Sequence, residues 1–201
     1  MSGAWRFPMA LVLEGKRCLV LGSSAEAAFR ARSLVECGAV VVVVAPAAGP
    51  ELQALAASGA IGLEQREFAE ADLSETWLVV LADREPRLLE WVGPACRARR
   101  ILFCAIDQPG HNSAEHLGLV RSGPVTLAIS TGGKAPGLAK RLREELERVM
   151  RESGFAAFAE RVVKLREKTG EPAHRAELER ALADLRLGAW DLPGDPRGGR
   201  K

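Results

Sequence analysis

The sequence has no excess of charge of either sign: 28 Lys and Arg stand against 26 Asp and Glu, a formal net charge of +2. That excludes a polycationic nucleic-acid binder, so any anion site has to be a local patch. No C-x-x-C pair occurs among Cys18, Cys37, Cys96 and Cys104. The common zinc and thioredoxin-like spacings are therefore missing, and reduced thiols serving as small core residues are expected. No run approaches the roughly 20 apolar residues of a membrane span. The opening "MSGAWRFPMALVLEGK" carries charge and is too short in apolar residues for a secretory signal. A cytoplasmic protein with no membrane contact is expected. His111 and His116 lie five apart in a polar stretch and form no metal-ligand spacing, so no metal site is expected. There is no internal repeat.

What is present is an ordinary globular composition, 47% hydrophobic and 27% charged over 201 residues, enough for one to two domains. The stretch "KRCLVLGSSAEAAFRARSLVECGAVVVVVAP" reads as strand, tight loop, helix, strand. Apolar residues at Ala27, Ala28, Ala31, Leu34 and Val35 have helical spacing, with Gly38 as the stop. The valine run after it is a strand buried on both faces of a parallel sheet. Further along, "PELQALAAS" predicts a helix, "IGLEQREF" a short strand, "TWLVVLAD" a buried strand, "EPRLLEWVGPACRAR" a helix interrupted or restarted at Pro94, and "ILFCAID" another strand. Alternation of strand and helix from residue 10 to residue 107 argues an α/β, Rossmann-like doubly wound parallel sheet.

Beyond Asp107 the pattern changes. "QPGHNSAEHLGLVRSG" is polar and glycine-rich, "PVTLAIS" is a strand, and "TGGKAPGLAKRLREELERVM" ends in an amphipathic helix with Leu138, Leu142, Leu146 and Val149 on one face. "FAAFAERVVKLREK" and "AHRAELERALADLRL" predict two more helices, and "PGDPRGGRK" a disordered tail. This divides the chain into a dinucleotide-binding domain over 1–112, a small region over 113–150, a helical domain over 151–190 and the tail over 191–201.

Three stretches carry chemistry. In "GSSAEA", Gly22 can make the tight turn out of the strand and Ala27 is small enough for close helix packing. Ser24 stands where a second glycine normally lets the backbone approach a diphosphate; its hydroxyl can bond a phosphate or block one. No acidic residue ends the second strand to hold a ribose. The loop is thus either a cofactor site or a structural βαβ turn. Asp107, at the carboxyl end of a strand, is a general-base candidate whose partial burial would raise its pKa, or else a turn cap in "DQPG". In "ISTGGKAPGLAKR" a strand runs through Ser130, Thr131, Gly132 and Gly133 into a helix start near Pro136, which is a candidate anion site. Lys134, Lys140, Arg141 and Arg143 add positive charge there, with Arg121 and the Arg97/Arg99/Arg100 group as possible contributors. The alternative is a solvated face of Lys/Arg–Glu pairs.

The order "GKRCLVLG…ECGAVVVVVAP…WLVVLAD…RRILFCAID…GPVTLAISTGGKAPGLAKRLREELE" resembles the precorrin-2 dehydrogenase/sirohydrochlorin ferrochelatase family, the N-terminal module of siroheme synthase, from about residue 7 to about residue 150. "ISTGGKAPGLAKRLREELE" is the most specific part, resembling that family's S-T/S-G-G-x-S/A-P motif and the helix after it. The resemblance implies a Rossmann NAD-binding domain, a dimerisation region and a helical domain. It implies oxidation of precorrin-2 to sirohydrochlorin with NAD⁺ and, in bifunctional members, insertion of Fe²⁺ to give siroheme. It implies Asp107 as the catalytic residue. It places NAD on Gly22, Ser23, Ser24, Ala25 and Glu26, on Pro46, and on Ala82 and Asp83. It places the tetrapyrrole on Ser130, Thr131, Gly132, Gly133 and Lys134. A homodimer supplied with precorrin-2 by a separate enzyme is expected, with no nucleic-acid partner.

The chain departs from the family pattern at four points. Two loop glycines are Ser23 and Ser24, with Phe29-Arg30 in place of Arg-Lys; "LADRE" replaces A-A-T-D/N; Cys104 replaces an Asn; "AEHLG" replaces an aromatic segment. Most of these bear on the cofactor. The other readings are therefore a member with weak or lost NAD binding, acting as a sirohydrochlorin metal chelatase or tetrapyrrole-binding protein, and an unrelated Rossmann-like module.

Overall fold

The five-valine run builds the second strand of a parallel sheet, and the way its neighbours share that sheet decides the architecture. A computed structural model of the chain describes residues 6–167 together with Glu179 and Leu182. The predicted helix over 173–187, apart from those two residues, and the predicted tail over 191–201 lie outside the described residues. The chain contacts separate two units, Met1–His116 and Leu117–Lys201.

The first unit holds β1 (Arg17–Leu21), α1 (Ala25–Glu36), β2 (Val40–Val44), α2 (Pro50–Ala57), β3 (Gly62–Glu64), β4 (Leu78–Leu81), α3 (Pro86–Arg99) and β5 (Leu102–Ala105). The five strands are all parallel in the order β3-β2-β1-β4-β5. The chain winds outward from β1 to β3, then returns to place β4 on the other side of β1. That reversal opens a crevice between β1 and β4 at the strands' carboxyl ends, where ligands of such sheets bind.

Two apolar layers hold the helices down because both faces of the central strands are apolar. On one face Cys18, Val20, Val41, Val43 and Val80 meet Ala27, Ala28, Ala31 and Leu34 of α1 and Leu52 of α2. On the other, Leu19, Leu21, Val79, Leu81 and Phe103 meet Leu89, Val92 and Cys96 of α3 with Phe68 and Leu73. Burial pushes the Cys18 and Cys96 thiols up to about 11, and all four cysteines are free. Cys18, Cys96 and Cys104 are inert core groups, whereas Cys37, expected in the core with them, is exposed at the end of α1.

Three expectations are corrected. Residues 6–13 form no strand, so the alternation begins at Arg17 rather than at residue 10. α3 runs unbroken through Pro94. Pro94 and Glu90, whose carbonyl loses its partner, both lie on the exposed side of the helix, where water can take the lost bond, while Val92, Gly93 and Cys96 stay buried. The polar stretch before Pro124 contains a strand: β6 (Gly118–Ser122) pairs antiparallel with β7 (Val125–Ile129).

That hairpin opens the second unit. Its two-residue turn needs Gly123, which has φ 55° and whose added Cβ would sit 3.1 Å from the Ala156 carbonyl oxygen. α4 (Pro136–Glu152) packs on the hairpin and α5 (Phe155–Glu167) packs on α4. Val120, Met150 and Ala159 form its buried centre. No helix among the described residues is long and apolar enough to cross a membrane.

Candidate functional site

The carboxyl ends of β1, β4 and β5 carry the site. β1 is followed by Gly22, whose φ of 139° is open to glycine alone. Ser24 then caps α1: its Oγ accepts from the Ala27 amide at 3.3 Å. Ala25 lies exposed in the first turn, and Glu26 is held by Arg30 one turn on, with Nε 2.6 Å from its Oε1. The loop after β2 lies beside this turn, since a Cβ on Gly49 would meet the Ser23 carbonyl oxygen at 3.4 Å. Pro46, in that loop, is exposed.

β4 contributes a pair of charges. Ala82 is buried and its amide continues the ladder to Leu21 O at 2.8 Å. The next residue, Asp83, turns back over the loop. Its Oδ2 accepts from the Ser23 amide at 2.7 Å and from Ser23 Oγ at 3.3 Å, and its Oδ1 accepts from Ser24 Oγ. A Cβ built on Gly22 would lie 2.8 Å from Asp83 Cγ. The next residue again, Arg84, faces the other way: its Nη2 stands 3.2 Å from Asp107 Oδ2.

Asp107 follows β5 in the left-handed region at φ 57°. The burial expected for it is not found: its side chain is 68% exposed. The β5 edge is closed by the segment after it. The Asn112 side-chain amide pairs with Ala105 in both directions, accepting from its N–H at 2.7 Å and donating to its C=O at 3.1 Å. Ser113 does the same for Phe103 with its Oγ and its own amide. The six-residue connection bearing Asp107 is thereby pinned at both ends. Beside Asp107, Gln108 Nε2 is buried with no hydrogen-bond partner among the described residues.

Residues 9–114 match the model of a family described as "Putative NAD(P)-binding", and residues 122–148 match that of the sirohaem biosynthesis protein central region. The chain belongs to this NAD(P)-binding family, in its siroheme-synthase group. It is 37% identical over 194 residues to siroheme synthase 3 of Aeromonas hydrophila, covering 94% of this chain and 41% of that protein. It is 35% identical over 192 residues to siroheme synthase 1 of Aeromonas salmonicida, with the same shares, 94% and 41%. The chain thus spans about two fifths of the length of these relatives. The solved structure of SirC, precorrin-2 dehydrogenase, shares the fold with a TM-score of 0.73 over 89% of this chain and 90% of its own, at 24% identity.

In this siroheme-synthase-type chain the first unit brings together Gly22, Ser23, Ser24, Ala82 and Asp83. It sets Asp107 two strands away from Gly22, about 10 Å by strand spacing. Arg97, Arg99 and Arg100 end α3 at the amino end of the sheet, and Arg99 pairs with Glu70 at 2.7 Å. Arg84 and Asn112 were not singled out from the sequence. The charged "DRE" directly after a buried strand was the available signal for Arg84; nothing local signals that Asn112 bonds Ala105.

The second candidate element stands in the second unit. Gly132 at φ 60° and Gly133 at φ 75° turn the chain from β7 into α4. Ser130 Oγ accepts from the Gly132 amide at 3.0 Å and Thr131 Oγ1 accepts from the Ala135 amide at 3.3 Å. Lys134 is exposed. The positive charge expected along α4 is largely spent within the helix. Arg143 pairs with Glu147 at 2.6 Å, Lys140 lies 4.0 Å from Glu144, and Arg141 pairs with Glu145. His111 packs by Gly93 and His116 makes a backbone contact to Cys104. Among the described residues no group of three or more His, Cys, Asp and Glu side chains is gathered for a metal.

Proposed function

We propose that this chain catalyses the NAD⁺-dependent oxidation of precorrin-2 to sirohydrochlorin. The observation that carries the reading is the pairing, in one crevice, of a Gly22 turn opening α1 with a carboxylate on the neighbouring strand ends. The turn suits a dinucleotide in shape. Gly22 allows contact at its Cα, the first turn of α1 presents backbone donors, and the helix dipole favours an anion. Gly22, Ser23, Ser24, Ala25 and Glu26 would hold the diphosphate end, with Pro46, Ala82 and Asp83 lining the remainder. NAD⁺, when bound, supplies the acceptor for the hydride.

The protein's own chemistry centres on Asp107. The oxidation removes one hydride and one proton, and Asp107 takes the proton or holds a macrocycle N–H while it leaves. Its exposure means that the substrate itself supplies the burial at the moment of reaction. Asn112 and Ser113 keep the strand end that bears it in register. Ser130, Thr131, Gly132, Gly133 and Lys134 are the proposed contacts for the substrate's peripheral carboxylates, which suit backbone amides and a lysine.

A homodimer is part of this reading. A two-stranded sheet is marginal by itself, and Leu119 and Leu138 of the second unit are 38% and 55% exposed. Residues 113–150 are the proposed dimerisation region. The four free cysteines suit a reducing compartment such as the cytoplasm.

The test is NADH formation from precorrin-2 by the purified protein. Native turnover that falls at least 100-fold in Asp107→Ala, with unchanged thermal unfolding, supports the reading; full activity in that variant overturns the role of Asp107. Insertion of Fe²⁺ into sirohydrochlorin is the second reading. It is favoured by one observation, that the donors of the Gly22 turn are engaged by Asp83. Metal insertion in the absence of NAD⁺ and no oxidation in its presence would select it.

A further inference from the structure

We propose that the Asp83 carboxylate is an internal competitor for the diphosphate of the dinucleotide, so that cofactor binding in this chain requires Asp83 to be displaced. The inference rests on the NAD⁺ reading of the Gly22 turn and concerns how that turn is controlled.

The Ser23 amide carries a single hydrogen, and Asp83 Oδ2 accepts it at 2.7 Å. A diphosphate oxygen cannot take the same hydrogen while the carboxylate is there. The serine hydroxyls are committed in the same way. Ser23 Oγ stands 3.3 Å from Asp83 Oδ2, and Ser24 Oγ donates to Oδ1 while accepting from the Ala27 amide. Gly22 completes the set. In a dinucleotide turn a glycine lets a phosphate come close to the backbone. Here the space above Gly22 is filled by the protein's own carboxylate, at 2.8 to 3.0 Å from where a Cβ would stand.

Charge adds to geometry. No cation pairs with Asp83 among the described residues, and the adjacent Arg84 is turned away to Asp107. A diphosphate arriving at the turn therefore meets a like charge that no described cation pairs with, as well as occupied donors. The two serines and Asp83 form one hydrogen-bonded unit, in which Ser23 and Ser24 supply hydroxyl donors that glycines could not.

The deciding experiment is calorimetric titration of NAD⁺ into the native protein, Asp83→Asn and Asp83→Ala, with thermal unfolding of each as a check of folding. Asn keeps the size and an acceptor but removes the charge; Ala removes the competitor outright. Tightening of several-fold in Asp83→Asn and about tenfold or more in Asp83→Ala is expected from loss of a charge-assisted bond. Native binding with equal or weaker binding in both variants overturns the proposal and leaves the NAD⁺ reading standing. Binding in the variants but not in the native protein supports the proposal and removes NAD⁺ use from the native chain. No binding in any of the three overturns both. Should Asp83→Ala fail to fold, Asp83→Asn decides the matter alone.

Discussion

Both ends of the parallel sheet place aspartates across gaps between elements, Asp72 at the amino end and Asp83 and Asp107 at the carboxyl end, and the two ends are built differently. At the amino end Asp72 is buried, takes both Nη atoms of Arg66 at 2.6 and 2.9 Å, and accepts the Ala69 amide at 2.8 Å. Its carbonyl accepts from Arg17 at 2.7 Å, and the same Arg17 Nη1 reaches Thr76 Oγ1 at 2.5 Å. This network ties β1 to the segment before β4. At the carboxyl end Asp83 and Asp107 hold exposed partners, the Ser23–Ser24 loop and Arg84. Exposed charge contacts are worth little and exchange readily. The amino end is wired to stay; the carboxyl end is held by contacts that a ligand can replace.

The largest break in this contrast is expected from Gly22→Ala. The backbone at φ 139° is strained for any side chain, and the new Cβ meets Asp83. About 3 kcal/mol of stability should be lost from strain and crowding together, read from the urea midpoint. Adding Asp83→Ala should return only the crowding part. Full recovery in the double variant would mean that the backbone carries no strain.

Asp72→Ala comes next. It strands Arg66 and the Ala69 amide, and about 2 kcal/mol is expected. That is below the full cost of a broken buried pair because the Arg66 side chain is 43% exposed. NAD⁺ affinity measured well below the transition should not change, since Asp72 lies at the other end of the sheet.

The same residue sets a pH dependence. The Arg66 guanidinium and the Ala69 amide hold the Asp72 carboxyl below its ordinary value. Its contribution is therefore complete above the unfolded carboxyl value, about 4, and is lost as pH falls through the lower folded value. Urea midpoints should be level for this residue from neutrality down to about pH 4 and fall below it. Asp72→Asn should remove that acid limb while lowering stability at neutral pH.

The smallest effect is expected from Arg84→Gln. Arg84 and Asp107 are 73% and 68% exposed, so stability should move by less than about 1 kcal/mol. Turnover with precorrin-2 should respond more than the unfolding midpoint does. An unfolding shift equal to that of Asp72→Ala would erase the distinction between the two ends.

Much of the frame was legible because it is local. The valine run, the leucines and valines of β4, and the alanine face of α1 carry their burial in their own periodicity. Gly22 and the Thr131-Gly132-Gly133 turn announce themselves because few residues tolerate φ of 139° or two left-handed positions in succession. β6 was hidden because its apolar and polar residues do not sort by face: Leu119 shares the exposed face with Arg121 while Ser122 shares the buried face with Val120. Pro94 was misjudged because its cost depends on which side of the helix faces water, which the sequence does not state.

The chain by itself determined a parallel α/β sheet, a glycine turn at the end of its first strand, an aspartate at the end of its fifth, and an amphipathic helix behind two glycines. These follow from steric and hydrophobic rules acting over a few residues. Tertiary structure alone decided that Asp83 would settle on the Ser23–Ser24 loop, that Arg84 would turn to Asp107 and that Asn112 would mimic a strand against Ala105. Each of those contacts joins side chains or backbone brought together only when the sheet is assembled, and no local pattern encodes which donor a carboxylate will find there.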